Sequence, residues 1–192
     1  EKCGVQIAAV SVRHSDGINQ QRLEGIPAVT FTAFLQNQLS NGVSRFIVIP
    51  LFFSNNHALS VYIPKQLEIL KAEYPNLDVL FAREVYPLPE GEPKLIEILH
   101  NHLQALLPTS TANDLSVVLV DHGSPSPKVT AVREDVARLL NQQSEDLTID
   151  QAVMERREST QYDFNGLLLE NYLKQKAESG VKNVIVLLMF FL

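Results

Sequence analysis

The sequence predicts an α/β protein organised on parallel β-sheet, and three features carry that prediction. Short β-branched or aliphatic runs alternate with amphipathic helical stretches along the whole 192-residue chain, the pattern of a parallel sheet covered by helices. The longest runs, residues 45–53 and 181–191, are apolar at nearly every position, as strands buried on both faces are. Several runs also end in turns rich in histidine or charge, at the carboxyl strand ends where open α/β sheets bind ligands.

Taken in order, residues 5–12 have a strand pattern ending in Arg13-His14-Ser15. A loop with Gly17, Gly25 and Pro27 leads to a helix over about 28–40, stopped by Asn41-Gly42, where glycine supplies the left-handed turn of a helix C-terminus. Residues 45–53 read as a strand that ends at Ser54-Asn55-Asn56-His57. A helix over 61–73 carries Pro64 near its first turn, where the missing amide costs nothing, and a strand over 77–82 runs into Arg83-Glu84. Leucines at 95, 99, 103 and 106 mark a helix over 92–107, ended by Pro108. The clearest strand is the run from Leu115 to Val120, which delivers Asp121-His122-Gly123-Ser124 to a tight turn. A helix over about 128–141 follows Pro125 and Pro127. A strand over 147–154 leads to Glu155-Arg156-Arg157, a helix covers 164–179, and 181–191 is the last strand.

Composition narrows the function classes. At 45% hydrophobic and 20% charged the chain is an ordinary globular protein, and its net charge of −6 argues against a general nucleic-acid binder. The single cysteine, Cys3, can form neither an internal disulfide nor a cysteine metal site, which fits a cytoplasmic setting. No apolar run reaches the roughly 18–20 residues of a membrane span, and the start does not read as a signal peptide. The expected partners therefore exclude nucleic acid and membrane, and the sequence is compatible with a homodimer.

An internal repeat is visible when two segments are aligned. Residues 34–53 match residues 172–191 without a gap, Gly42 against Gly180, an offset of 138. The offset implies two related halves, 1–110 and 111–192, the first lacking its opening strand and the second its C-terminal part. Such helix-Gly-Val-strand units are common in α/β proteins, so the repeat alone does not specify a function.

Val117-Val-Leu-Val-Asp-His-Gly-Ser124, then a helix, then Ala152-Val-Met-Glu155, then Gly180-Val with an apolar strand, resembles the sirohydrochlorin chelatases, the class II cobalto- and ferrochelatases of the cobalamin and siroheme pathways. That family carries an (A/D)HGS turn, an (A/F)-x-(M/L)-E strand end, and a later apolar strand followed by G-x-H and I-P. Residues 42–53, Asn55-Asn56-His57 and Ile63-Pro64 resemble the latter set. The resemblance implies two flavodoxin-like halves with parallel sheets around a cleft, each truncated at its outer end, and a lyase that inserts Co²⁺ or Fe²⁺ into sirohydrochlorin or a related tetrapyrrole. It implies His57 and His122 as metal ligands, His122 and Glu155 as catalytic groups, and no tightly bound cofactor, the divalent metal being a substrate. Two positions depart from the family pattern: Asn55 stands where glycine is usual, and Ser11 where the first half would have its glutamate. Each half shows one of the two histidines, so His57 and His122 either share one metal or belong to two incomplete sites.

The residue types suit that chemistry. Inserting a divalent ion into a free-base macrocycle displaces two pyrrolic protons, so the site needs a loose metal ligand and a proton acceptor. Neutral imidazole is both, and it suits borderline ions such as Fe and Co. A partly buried carboxylate at Glu155 would have its pKa raised into a useful range. A carboxylate-rich tetrapyrrole also calls for cations and polar groups, for which Arg83, Arg156, Ser124, Ser126, Asn55 and Asn56 stand at strand ends. Each has an ordinary structural alternative: a hydrogen-bonded turn for His122, a solvated loop for His57, pairing with Arg156 and Arg157 for Glu155, and rim ion pairs for the arginines. His14, His100 and His102 read as surface or helix-face residues. Two other functions fit the pattern: a non-catalytic tetrapyrrole- or metal-binding protein of the same fold, and a phosphate- or anion-binding domain using the turn amides after Asp121-His122-Gly123 and a helix amino end.

Overall fold

The computed structural model describes residues 6–13, 18–108, 114–144 and 147–189. It divides into two compact units, Glu1–Ile49 with His57–Ala82, and Pro50–Asn56 with Arg83–Leu192, and each has its own parallel sheet.

In the first unit, helix α1 (Phe31–Ser40) starts where Thr30 accepts the Ala33 amide at 3.4 Å. It ends at Gly42, whose φ of +85° lets Val43 N–H donate to the Gln38 carbonyl at 3.0 Å. Strand β1 (Arg45–Val48) follows, then a π-type turn (Ala58–Tyr62), helix α2 (Ile63–Glu73) and strand β2 (Asp78–Phe81). β1 and β2 pair in parallel, Arg45 opposite Asp78. One face of this pair, Phe46, Val48 and Val79, packs on Phe31, Leu35 and Leu39 of α1 and on Ile63 and Leu70 of α2. The other face is open: Ile47 and Ile49 are each 70% exposed.

Two strand predictions fail here. Residues 6–12 form no ladder; Ser11 makes only an isolated parallel bridge with Thr30, and Ile7 is exposed. An apolar alternation becomes a strand only beside a hydrogen-bonded neighbour, and none of the described residues supplies one. β1 also stops at Val48 instead of reaching residue 53. Pro50 has no amide to give a ladder, and the chain then leaves the first unit: Phe52 accepts Val85 N–H at 2.8 Å, and Phe53 packs into the core of the second unit.

The second unit contains α3 (Pro93–Leu106), β3 (Leu115–Asp121), α4 (Pro127–Gln143), β4 (Ile149–Val153), α5 (Leu169–Glu178) and β5 (Asn183–Leu188). The three strands are parallel in the order β4-β3-β5, so β3 is central. Val117, Leu119 and Leu187 pack with Leu99 and Leu103 of α3 and with Val132, Val136 and Leu140 of α4. Val118, Val120 and Ala152 pack on Tyr172 of α5. Both faces of this sheet are covered, which explains why β3 is apolar at consecutive positions. The helix predicted over 164–179 starts late. A 3-10 turn (Thr160–Asn165) comes first, then Gly166 at φ +81°, ψ −149°, a conformation open essentially to glycine alone, so α5 begins at Leu169. Residues 190–191 of the last predicted strand, Cys3 and His14 lie outside the described residues. Among the described residues no helix is long and apolar enough to cross a membrane.

Candidate functional site

The β3–β4 ladder runs from Val117 opposite Ile149 to Asp121 opposite Val153. The backbone continues this pairing one step past the strands, with Met154 N–H donating to Asp121 O at 2.9 Å and Glu155 N–H to His122 O at 3.0 Å. This register carries His122 and Glu155 to the same carboxyl end of the sheet, where His122 Nδ1 lies 3.5 Å from Glu155 Oε1. Both side chains face solvent, 65% and 73% exposed. Glu155 is therefore not the partly buried carboxylate expected from the sequence, because its strand has already ended and nothing packs over it; its charge meets an imidazole instead of an apolar wall. Between them the backbone is tight. Gly123 takes φ +92°, and a Cβ there would lie 1.9 Å from the Glu155 carbonyl oxygen.

Beneath the turn lies a buried polar cluster. Arg133 of α4 and Asp121 are each 3% exposed and pair through Nη1 and Oδ1 at 2.8 Å. Arg133 Nη2 donates to the Asn165 carbonyl at 2.8 Å, and its Nε to Gln151 Oε1 at 3.2 Å. Asp121 Oδ1 also accepts Gly123 N–H at 3.0 Å, while Asn165 Oδ1 accepts Ser124 N–H at 3.1 Å and its Nδ2 donates to Ser124 O at 2.9 Å. Burial pushes the Asp121 carboxyl above the ordinary carboxylate value, with Arg133 and the Gly123 amide pulling against it. Ser126 N–H donates to Ser124 Oγ at 3.1 Å and Val129 N–H to Ser126 O at 3.1 Å. The amides of Gly123, Ser124, Ser126 and Val129 are thus already engaged within the turn and the start of α4.

The other expected residues are spread more widely. Ser124 and Ser126 are half-buried beside His122. Arg156 reaches the Gly166 carbonyl at 3.1 Å and Asp163 at 3.2 Å, and Arg157 the Tyr162 hydroxyl at 3.0 Å, so both arginines turn to the loop before α5 and leave Glu155 to His122. Arg83 pairs with Glu90 at 2.9 Å on the surface. Asn55 is exposed and Asn56 half-buried, both in the segment Pro50–Asn56 of the second unit; His57, exposed, belongs to the first unit and stands before the π-type turn. His100 is half-buried and His102 exposed on α3. Among the described residues no group of three or more His, Cys, Asp or Glu side chains is arranged to hold a metal ion.

Sequence reasoning passed over Asp121, Arg133 and Asn165. Arg133 did leave a signal: it falls on the apolar stripe of α4 with Val132, Val136, Ala137 and Leu140, the one charged residue where the helical period calls for a hydrophobe.

No protein-family model matches the chain, and no curated protein sequence matches it. Solved structures do match. SirB from Bacillus subtilis with Fe³⁺ superposes with a TM-score of 0.55 and 14% identity, over 84% of this chain and 71% of that one. The sirohydrochlorin chelatase SirB from Bacillus subtilis subspecies spizizenii, in complex with cobalt, gives a TM-score of 0.51 and 13% identity, over 83% and 67%. The chain therefore has the α/β chelatase fold of these proteins.

Proposed function

We propose that the chain is a lyase of the sirohydrochlorin chelatase type, inserting Co²⁺ or Fe²⁺ into sirohydrochlorin or a close relative in a cytoplasmic cobalamin or siroheme pathway. The observation that carries this reading is the His122–Glu155 pair at adjacent parallel strand ends, 3.5 Å apart and open to solvent, in a fold shared with proteins solved with Fe³⁺ and with cobalt. With Glu155 accepting from His122 Nδ1–H, the Nε2 lone pair is left to hold the incoming ion, the arrangement by which a carboxylate orients a metal-bound imidazole. Insertion releases two pyrrolic protons for each metal taken up. Glu155 and solvent accept them, and His122 gives up the ion as the ring nitrogens bind it. Ser124, Ser126 and Arg156 beside the pair, with Asn55, Asn56 and Arg83, are assigned to the macrocycle's carboxylates; the exposed Arg83–Glu90 and Arg156–Asp163 pairs are weak enough to exchange for a substrate carboxylate. His57, in the first unit, is assigned as a metal ligand in its own right; H57A with metal binding and insertion at the wild-type level would remove it.

Anaerobic incubation with sirohydrochlorin and Co²⁺ tests the reading through the absorbance spectrum of the macrocycle. Multiple turnovers that H122A abolishes support it. A spectral change that stops at one equivalent makes the protein a tetrapyrrole binder, and no change with Co²⁺ or, in a parallel incubation, with Fe²⁺ overturns both.

A further inference from the structure

The two amides directly after His122, those of Gly123 and Ser124, are held by side chains and not by the sheet: Asp121 Oδ1 takes the first and Asn165 Oδ1 the second. Both holders answer to one guanidinium. Arg133 binds the Asp121 carboxylate through Nη1, the Asn165 backbone carbonyl through Nη2, and Gln151 of β4 through Nε. All three nitrogens of a rigid planar fork are thereby used on three different chain segments, a geometry that lysine, a point charge, has no means to copy.

Stability alone does not account for this cluster. Arg133 and Asp121 are both buried, Asp121 Oδ2 is buried without a hydrogen-bond partner among the described residues, and burial works against the carboxylate's charge. Well-packed hydrophobes in place of the whole pair, Arg133 and Asp121 together, would hold the fold as well or better, whereas removing one partner alone would strand a buried charge. What a hydrophobe would not supply is direction: a fixed position for the turn that carries the imidazole relative to the end of β4.

We propose that Arg133 is a positioning residue for the His122–Glu155 pair, acting through Asp121 and Asn165 to set the turn; this rests on the chelatase reading above. Displacement of a catalytic group by about 1 Å costs on the order of 100-fold in rate, and loss of a residue that orients a metal ligand costs about 10–100-fold. In R133K the charge stays and the fork is lost. The kcat for Co²⁺ insertion is expected to fall about 10–100-fold and KM for sirohydrochlorin to rise by less, because, of the groups assigned to the macrocycle, only Ser124 and Ser126 lie at the displaced turn.

Two measurements decide it on the full chain, with folding checked by circular dichroism: steady-state cobalt insertion, and amide hydrogen exchange at Gly123 and Ser124. The expected result is lower kcat together with faster exchange at those two amides. Wild-type kcat in R133K, or a rise in KM alone, overturns the proposal. If the wild type itself shows no insertion, the chelatase reading fails, and the exchange arm still decides whether Arg133 sets the turn: unchanged protection at Gly123 and Ser124 overturns it. Should R133K not fold, N165A is read by kcat alone, since it removes the side-chain bonds to Ser124 and to the Tyr162 carbonyl and leaves the Arg133–Asp121 pair intact: wild-type kcat in N165A overturns the proposal, and if neither variant folds, the cluster serves folding and the proposal is overturned.

Discussion

Replacing Gly123 by alanine puts the geometry of the site to its most direct test. The Cβ would stand 1.9 Å from the Glu155 carbonyl oxygen, whereas a carbon and a carbonyl oxygen in contact sit about 3.3 Å apart. The obstacle is backbone, so no rotamer change relieves it. Restoring contact distance would part the strand ends by roughly 1.4 Å, and the 3.0 Å bond from Glu155 N–H to His122 O would not survive that. Losing this hydrogen bond costs about 1 kcal/mol. Holding alanine at φ +92° adds about 1–2 kcal/mol. A total of about 2–3 kcal/mol would lower the melting temperature by roughly 4–12 °C, and the same movement would pull His122 away from Glu155. Differential scanning calorimetry reads the first effect and cobalt insertion the second. A G123A protein melting within a degree or two of wild type, with unaltered kcat, would show that the turn does not depend on this close approach and would sink the account of how the pair is held.

Three further outcomes are expected. E155Q should keep the fold, since its side chain is solvent-facing, and lose about 10- to 100-fold in kcat with little change in KM; unchanged kcat would remove Glu155 from the chemistry. Ile49 and Leu187 occupy equivalent repeat positions, yet Ile49 is 70% exposed and Leu187 3%, so urea unfolding should show L187A losing about 2–5 kcal/mol and I49A within about 0.5 kcal/mol of wild type. Equal losses would contradict the open face of the first sheet. Desolvation would raise the Asp135 carboxyl, but hydrogen bonds from Arg138 and Tyr86 outweigh it and hold the group below the ordinary carboxylate value. A carboxyl lowered in the folded state stabilises fully above its unfolded value, and that contribution is lost as pH falls through the folded value. The stability advantage of wild type over D135N should therefore shrink from neutral toward strongly acid pH; an advantage that grows on acidification would reverse the assignment.

How much of this was legible in the sequence depends on whether local or tertiary interactions decide each feature. β3 was plain because a central strand covered on both faces must be apolar at every position, and Val117 to Val120 are all fully or nearly fully buried. The His122–Glu155 pairing was half-legible: each ends an apolar run, and in a parallel ladder the ends of adjacent runs meet, but only the register shows that they meet within 3.5 Å. Both Gly42 and Gly180 were readable as helix ends, and their φ values of +85° and +84° agree. Gly166 was absorbed into a helix, because an amphipathic run tolerates one glycine and nothing local reveals its φ of +81°. The partnership of Arg133 with Asp121 was invisible for a different reason: the misplaced charge on the helix stripe could be seen, its partner across the fold could not.

The limits are sharpest where the repeat invites the strongest inference. Val43 N–H donates to Gln38 O and Val181 N–H to Lys176 O, both at 3.0 Å, so the local physics of the two copies is the same, down to the helix cap. Their burial is opposite. The face of β5 that holds Leu187 packs under α3 and α4, while on the matching face of the first sheet Ile47 of β1 and Ile49 just past its end are exposed. An apolar strand pattern states a capacity for burial, and whether it is used depends on which helices reach that face. The same reasoning explains β1 stopping at Val48: the apolar run continues to Phe53, but Phe53 packs, partly buried, on the core of the other unit, so one hydrophobic stretch serves two different packing surfaces.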